Sequence, residues 1–350
     1  RAAKIYRKVG SADCGNDFSD TLQDKKRRRG EKYAGYYKND IREKSSSGGI
    51  FSALAKCIIE DNGVVYGVCM ANDNYSAHFE RATNFKDIDK MLSSKYMQAS
   101  VGQTFKHVKQ DLENGLKVLF TGTICQINGL RGYLQKEYAS LYCVDVICHG
   151  VPSHKLWKQY LIFREKQIGK CTELNFRSKE QGWYESGIKE NTFFTPQKEN
   201  SYMNLFLRDL CLRPSCYKCV CKREKQSDIT LGDLWGVHQV ASELNDDKGI
   251  SVIILRTDKS EQLFEKIKED LVLKEITYQE AVLENPAEYE SAKKPLERDK
   301  FYKTMNKKSF ESLADQYLEQ TFCWKLIGKI NRVCHKVLRR IVKQKEGIKL

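Results

Sequence analysis

Cys216, Cys219 and Cys221 fall within six residues of Arg213-Pro214-Ser215-Cys216-Tyr217-Lys218-Cys219-Val220-Cys221-Lys222, which runs on into Ser227-Asp228-Ile229-Thr230-Leu231-Gly232-Asp233-Leu234-Trp235-Gly236. Thiolates at this spacing suit one soft metal ion or an iron–sulfur cluster, and they are poorly placed for a disulfide within the pair. Cys125 and Cys148 lie in two further loops, each after a probable strand. Together with Cys216 and Cys219 they give four thiolates from three loops, the number a cubane cluster needs. Cys221 is the spare, because of its spacing and strand-like neighbourhood. Zinc on the same loops and free thiols remain alternatives, although no His stands at finger spacing and the C-x2-C is not repeated. Cys125 with His149 would also suit a thiol nucleophile and its base, the arrangement of a thiol-nucleophile transferase.

Two other loops suit a nucleotide. Ser45-Ser46-Ser47-Gly48-Gly49 precedes a helix beginning near Ile50, and hydroxyls with unhindered amides at a helix N-terminus favour the diphosphate or ribityl part of a cofactor. An ordinary serine-capped helix is the alternative. Thr121-Gly122-Thr123 lies between a strand and a helix, where α/β proteins place ligands. Asp233 would orient a ligand hydroxyl or pair with a backbone amide. Trp183, Tyr184 and Trp235 would stack on a ring system or pack in the core. Cys57, Cys69, Cys143, Cys171, Cys211, Cys323 and Cys334 have apolar neighbours and read as small buried hydrophobes, and Cys14 as a lone exposed thiol.

These loops require a scaffold of alternating strands and helices. Ile50, Phe51, Leu54, Ala55, Ile58 and Ile59 recur at helical spacing, Asn62-Gly63 ends that helix, and Val64 to Cys69 reads as a buried strand. Short apolar runs at 117–120, 141–147 and 250–255 are further strands, and 259–283 holds two helices around Val272-Leu273. The pattern specifies an α/β fold with a mostly parallel sheet and flanking helices. Alternation over 172–195 predicts an inserted antiparallel hairpin element, and the cysteines form an iron–sulfur loop region. Residues 1–32 read as a polar arm or remnant of a preceding module. Residues 33–290 form the main domain, divided near 150, and 291–350 form a helical basic tail.

The 350 residues suffice for a large core, and the 13 cysteines, an odd number with no regular framework, fit a reducing cytoplasm. Arg1 rather than Met opens the sequence, so an upstream segment is expected. The formal charge of +14 is uneven, since residues 323–350 carry nine Lys or Arg against Glu346 alone. The body is therefore only mildly basic, which argues against nucleic acid as a partner. Trp324, Ile327, Val333, Val337, Leu338 and Ile341 give that tail an apolar stripe, suited to an anionic membrane surface or to docking on the body. The expected location is cytoplasmic, with peripheral contact at the inner face of the membrane through 323–350.

The ordered motifs Ser45 to Phe51, Lys95-Tyr96-Met97-Gln98, Thr121 to Gln126, Cys148 to Ser153 and Arg213 to Gly236 resemble the coenzyme F420 hydrogenase/dehydrogenase beta-subunit family. Within it they are similar to the bacterial branch associated with polysaccharide biosynthesis clusters. The resemblance spans about residues 33–290. It implies an oxidoreductase that holds FAD beside a 4Fe-4S cluster and exchanges electrons with a flavin- or deazaflavin-like substrate, supplied by a ferredoxin-type donor or acceptor. It implies Cys125, Cys148, Cys216 and Cys219 as cluster ligands. Ser46, Ser47, Gly48, Gly49, Lys95, Tyr96, Gln98, Thr121, Gly122 and Thr123 would line the FAD. Ile124 stands where the family usually has Pro, and the ferredoxin domain that often precedes this core is not in the sequence. A non-catalytic interaction module, degenerate or zinc-stabilised, is the rival from another functional class.

Overall fold

A computed structural model describes residues 30–318. Twelve strands run β1 Lys32–Tyr37, β2 Val64–Met70, β3 Ala77–Ala82, β4 Ala99–Ser100, β5 Val118–Thr123, β6 Leu141–Val146, β7 Leu174–Ser178, β8 Gly187–Glu190, β9 Phe193–Pro196, β10 Ile229–Asp233, β11 Ser251–Leu255 and β12 Leu271–Glu275. Nine of them form one sheet in the order β12-β1-β11-β10-β6-β5-β2-β3-β4. Its centre, β10-β6-β5-β2, is parallel, and antiparallel pairings extend it on both sides. The α/β class with flanking helices is thus the one the alternating apolar runs specify.

Strand periodicity explains the layers. Val118 and Phe120 on β5 enter one core with Trp157, Tyr202 and Phe301, whereas Leu119 between them enters another with Leu54, Ile58 and Phe264. Successive side chains point to opposite faces, so a central strand with consecutive apolar residues, as at Val118–Phe120, must be covered twice. Helices Ile50–Glu60 and Asp258–Glu265 cover the second face, and Ile124–Leu134, His154–Ile168, Arg298–Met305 and Phe310–Leu318 contribute to the first. Burying Trp157, fully enclosed, contributes about 3 kcal/mol or more of transfer free energy.

The inserted antiparallel element is a separate sheet, β7-β8-β9. Val272-Leu273 belongs to edge strand β12, paired antiparallel with β1, with helices Asp258–Glu265 and Tyr278–Val282 on either side in sequence. Cys221 lies in a 3-10 turn, Val220–Lys222, rather than in the strand-like setting its neighbours suggested. Phe301, Met305, Phe310 and Leu313 are buried in the core, so 298–318 is integral to the body. The arm 1–29, and the 323–350 stripe expected to meet a membrane, lie outside the described residues. Among the described residues no helix is long and apolar enough to cross a membrane.

Candidate functional site

Parallel pairing aligns the carboxyl ends of β5 and β6, with Thr123 opposite Val146, and Val146 opposite Leu231 of β10. Loops leaving these ends meet at the carboxyl end of the central strands. The loop after β6 is zipped to the segment ahead of the cysteine triplet. Ser153 N donates to Cys211 O at 2.9 Å and Arg213 N to Val151 O at 2.8 Å. Gly150 permits this approach, because a Cβ there would stand 2.8 Å from the Leu212 side chain and 3.5 Å from Cys216 Cβ. Val151 N then donates to Cys216 Sγ at 3.4 Å.

Four thiols become neighbours as a result. Burial pushes the Cys148 thiol up to about 12; the Lys222 ammonium opposes this, and the Cys125, Cys216 and Cys219 thiols reinforce it. Burial also raises Cys216, opposed by the Val151 amide and reinforced by Cys125 and Cys219. Cys221, pushed to about 11 mainly by burial, feels Cys219 and Cys125. Among the described residues no group of three or more His, Cys, Asp and Glu side chains is arranged to hold a metal ion. The thiols are therefore assembled neighbours and not a closed ligand set. Cys148, Cys216 and Cys219 are half-buried and Cys125 is exposed, and soft donors so placed beside a cation fit a thiolate-bound cluster, whose negative charge such a cation would offset.

Lys222 is a residue that sequence reasoning missed. It is buried, donates to Glu290 O at 2.5 Å, and feels Cys148, Cys219 and Cys216. Its position directly after the triplet was the available signal. His149 pairs with Asp209, Nε2 to Oδ1, at 2.7 Å, whereas Cys125 Sγ lies 3.2 Å from Thr123 Oγ1. The imidazole thus has an orienting carboxylate but is not hydrogen-bonded to the thiol. Ser153 occupies the N-cap of helix His154–Ile168 without a capping side-chain bond.

Of the nucleotide candidates, the serine loop and the Lys95-Tyr96 segment meet at a second centre, whereas Thr121, Gly122 and Thr123 hold to Tyr66, Gln126 and Cys125 instead. Ser46 Oγ accepts from Ser94 N at 2.7 Å, joining the serine loop to the segment that carries Lys95, Tyr96 and Gln98. Ser47 Oγ donates to Ile250 O at 2.8 Å, and Gly48 N donates to Ser251 Oγ at 2.9 Å. Gly49, at φ 81°, is the N-cap of helix Ile50–Glu60, so no serine caps it. Lys95 Nζ donates to Leu92 O at 2.6 Å, and burial lowers its pKa to about 8. Tyr96 packs against Phe176 and Phe206, and Gln98 is exposed. Thr121 Oγ1 donates to Tyr66 O at 3.1 Å, Gly122 abuts Gln126 and Phe79, and Thr123 donates from N to Gln126 Oε1 at 2.9 Å.

Arg177, on β7, ties this centre together and was not recognised in the sequence. Buried to 3% exposure, it donates to Tyr96 Oη at 3.2 Å, Ser46 O at 3.3 Å, and both Asp233 carboxylate oxygens at 3.2 and 3.3 Å. Trp183 Nε1 also donates to Asp233, at 2.9 Å, and Trp183 stacks on Trp235 at 5.1 Å. Asp233 is thereby the counter-ion of a buried guanidinium, and the two indoles pack on each other.

Comparison with known proteins gives the family and the fold. Residues 32–106 match the N-terminal model, and residues 115–281 the C-terminal model, of the family described as Coenzyme F420 hydrogenase/dehydrogenase, beta subunit. A coenzyme F420-dependent sulfite reductase from Methanocaldococcus jannaschii is 26% identical over 253 residues, 70% of this chain. The chain spans 38% of that relative's length. A chain in the structure of the F420-reducing NiFe hydrogenase complex from Methanosarcina barkeri shares the fold, with TM-score 0.53 and 17% identity over 74% of this chain and 87% of that one. Two matched segments in sequence order, covering most of the sheet and all three cysteine loops, show that this chain belongs to the coenzyme F420 hydrogenase/dehydrogenase beta-subunit family of oxidoreductase subunits.

Proposed function

We propose that this chain is an iron–sulfur flavoprotein subunit that passes electrons between a 4Fe-4S cluster, FAD and a flavin- or deazaflavin-like substrate. The observation that carries the reading is the half-buried Cys148 thiol, which feels Cys125, Cys216 and Cys219 from the neighbouring loops, with Lys222 beside them. Cys125, Cys148, Cys216 and Cys219 would hold the cluster, which supplies one-electron transfer to the two-electron chemistry of a flavin. The Val151 amide would donate to a ligand sulfur, and Lys222 would offset thiolate charge. Ser46, Ser47, Gly48, Gly49, Lys95, Tyr96, Gln98, Thr121, Gly122 and Thr123 would line the FAD. Lys95, whose pKa burial lowers to about 8, would still be mostly protonated at neutral pH and offer a cation to a negatively charged ring.

The partner is an acidic, ferredoxin-type electron carrier. Val220 is 69% exposed between Cys219 and Cys221, and Arg213, Lys218 and Arg223 around it face solvent. An apolar point within a basic rim supports docking of an acidic surface. Charge reversal at Lys218 and Arg223 should then slow electron delivery most at low salt. A cytoplasmic role in polysaccharide biosynthesis rests on the resemblance to the bacterial branch, and loss of surface glycan on gene deletion would test it.

Anaerobic purification with iron, sulfide and flavin analysis tests the central reading. About four iron and four sulfide per chain with bound flavin are expected. A colourless protein after anaerobic reconstitution overturns it.

A further inference from the structure

The inserted sheet reaches the serine loop through two cations two residues apart, and their bonds fall on successive peptide carbonyls. Arg177 donates to Ser46 O at 3.3 Å and Lys179 Nζ to Ser47 O at 3.0 Å. A trans peptide holds its N–H opposite its C=O, so each cation sets the direction of the following amide. One of these amides, Gly48 N–H, lands on Ser251 Oγ at 2.9 Å. The other, Ser47 N–H, faces away from Arg177 and has no hydrogen-bond acceptor among the described residues.

Neither cation is a surface ornament. The Arg177 bonds, all 3.2–3.3 Å, are longer than the roughly 2.8 Å usual for charge-assisted pairs. Its Nε is buried without a partner. Lys179 spends its three ammonium protons on three carbonyls from three segments, Arg42 O at 2.8 Å, Ser47 O at 3.0 Å and Lys248 O at 2.6 Å. The 246–249 loop is pinned to the same place by Arg42, which donates to Gly249 O at 2.8 Å and pairs with Asp246 at 2.6 Å. Gly249 in turn presses on the Ser47 backbone, where a Cβ would come within 2.9 Å.

We infer that Arg177 and Lys179 are positioning residues of the cofactor loop: they draw the Ser46 and Ser47 carbonyls toward the inserted sheet and present the Ser47 amide to a diphosphate oxygen of the bound nucleotide. Drawing carbonyl dipoles away removes negative potential from the anion's side of the loop, and the amide adds a donor on that side. This inference rests on the flavin-dinucleotide reading above, and it gives the inserted sheet a task in that reading.

The arrangement carries a pH signature. Burial lowers the Lys179 pKa to about 7; Arg42 and Arg177 push the same way, while Asp233 and Asp246 oppose them. Glu43 and Lys248, also nearby, pair with each other at 3.0 Å. As pH rises through about 7 the ammonium loses a proton, and one of its three carbonyls then meets a lone pair. Affinity for the dinucleotide is therefore present below that pH and falls above it.

The test measures FAD binding to the full chain by fluorescence titration at about pH 6 and about pH 8.5, for wild type, Lys179→Arg and Lys179→Met, with amide exchange of the FAD-free proteins alongside. Wild-type affinity should fall about tenfold between the two pH values, as expected when binding is linked to one proton. Lys179→Arg should bind tightly at both, and Lys179→Met weakly at both with faster exchange over residues 45–49. Lys179→Met that binds as wild type, or a wild-type affinity equal at both pH values, overturns the positioning role alone. Absence of FAD binding by wild type at either pH overturns this role together with the flavin reading. Should Lys179→Met not fold, the pH-independence of Lys179→Arg against wild type decides.

Discussion

Val151 N donates to Cys216 Sγ at 3.4 Å, joining the loop that carries Cys148 to the segment that carries Cys216 and Cys219. Residues 65 positions apart are thereby held together beyond the carboxyl end of β6. Replacing Cys148 or Cys216 by Ser should drop iron and sulfide from about four to below about one per chain, since a cubane needs four protein ligands. Cys221→Ser should keep both, because Cys125, Cys148, Cys216 and Cys219 would already supply the four ligands. Iron retained without Cys148, or lost without Cys221, would reverse the assignment.

Thiol reactivity should follow burial. Burial pushes Cys69, Cys143 and Cys211 up to about 12, and Cys125 is exposed. The thiolate is the reactive form. In cluster-free protein at about pH 8, iodoacetamide should modify Cys125 well before Cys69, Cys143 or Cys211, as peptide mass spectrometry would record. Early labelling of Cys143 would contradict the core described here.

Asp233→Asn should destabilise the fold by about 3–5 kcal/mol, because it leaves the Arg177 guanidinium buried without its counter-ion. The Trp183–Trp235 stack offers an independent signal, since Trp183 loses its carboxylate acceptor. Urea unfolding and near-ultraviolet circular dichroism should change together. Unaltered aromatic dichroism would show that the stack does not depend on Asp233.

Glu288 predicts acid sensitivity. Burial would raise its pKa, but Lys225, Arg256 and the Tyr278 hydroxyl outweigh that and bring it to about 2. A carboxyl depressed from 4.5 stabilises the fold fully above the unfolded value, and that contribution is lost as pH falls from about 4.5 towards 2. Glu288→Gln should lose about 3–5 kcal/mol at neutral pH, the usual result of breaking a buried ion pair, with less pH dependence between about 5 and about 3. Equal acid midpoints for the two proteins would refute this.

Much of the fold was legible because apolar periodicity is local. Helix Ile50–Glu60 followed by β2, the strands β5, β6 and β11, and the antiparallel insert are all written as short runs with Gly, Asn or Ser at their ends. β12 was not, since Val272 and Leu273 are an apolar pair too short to distinguish a strand from a linker between helices. Its state is decided by β1, which supplies the hydrogen-bonding edge. The thiol-bearing loops were legible for the same local reason, because cysteine spacing and strand-end loops are visible in one dimension.

The amino-acid sequence by itself determined the residue types that can do chemistry, their loops and the strands that carry them. Tertiary structure alone decided which of them meet. Arg177 looks like any strand arginine until β7 folds over the serine loop and buries it against Asp233, Tyr96 and Ser46. Lys222 looks like one more basic residue until the triplet turns inward and sets it beside Cys148. Periodicity reports which face a side chain takes, but the pairing of charges distant in sequence depends on sheet order and loop crossing. In a buried setting those pairings set where each charge is tolerated.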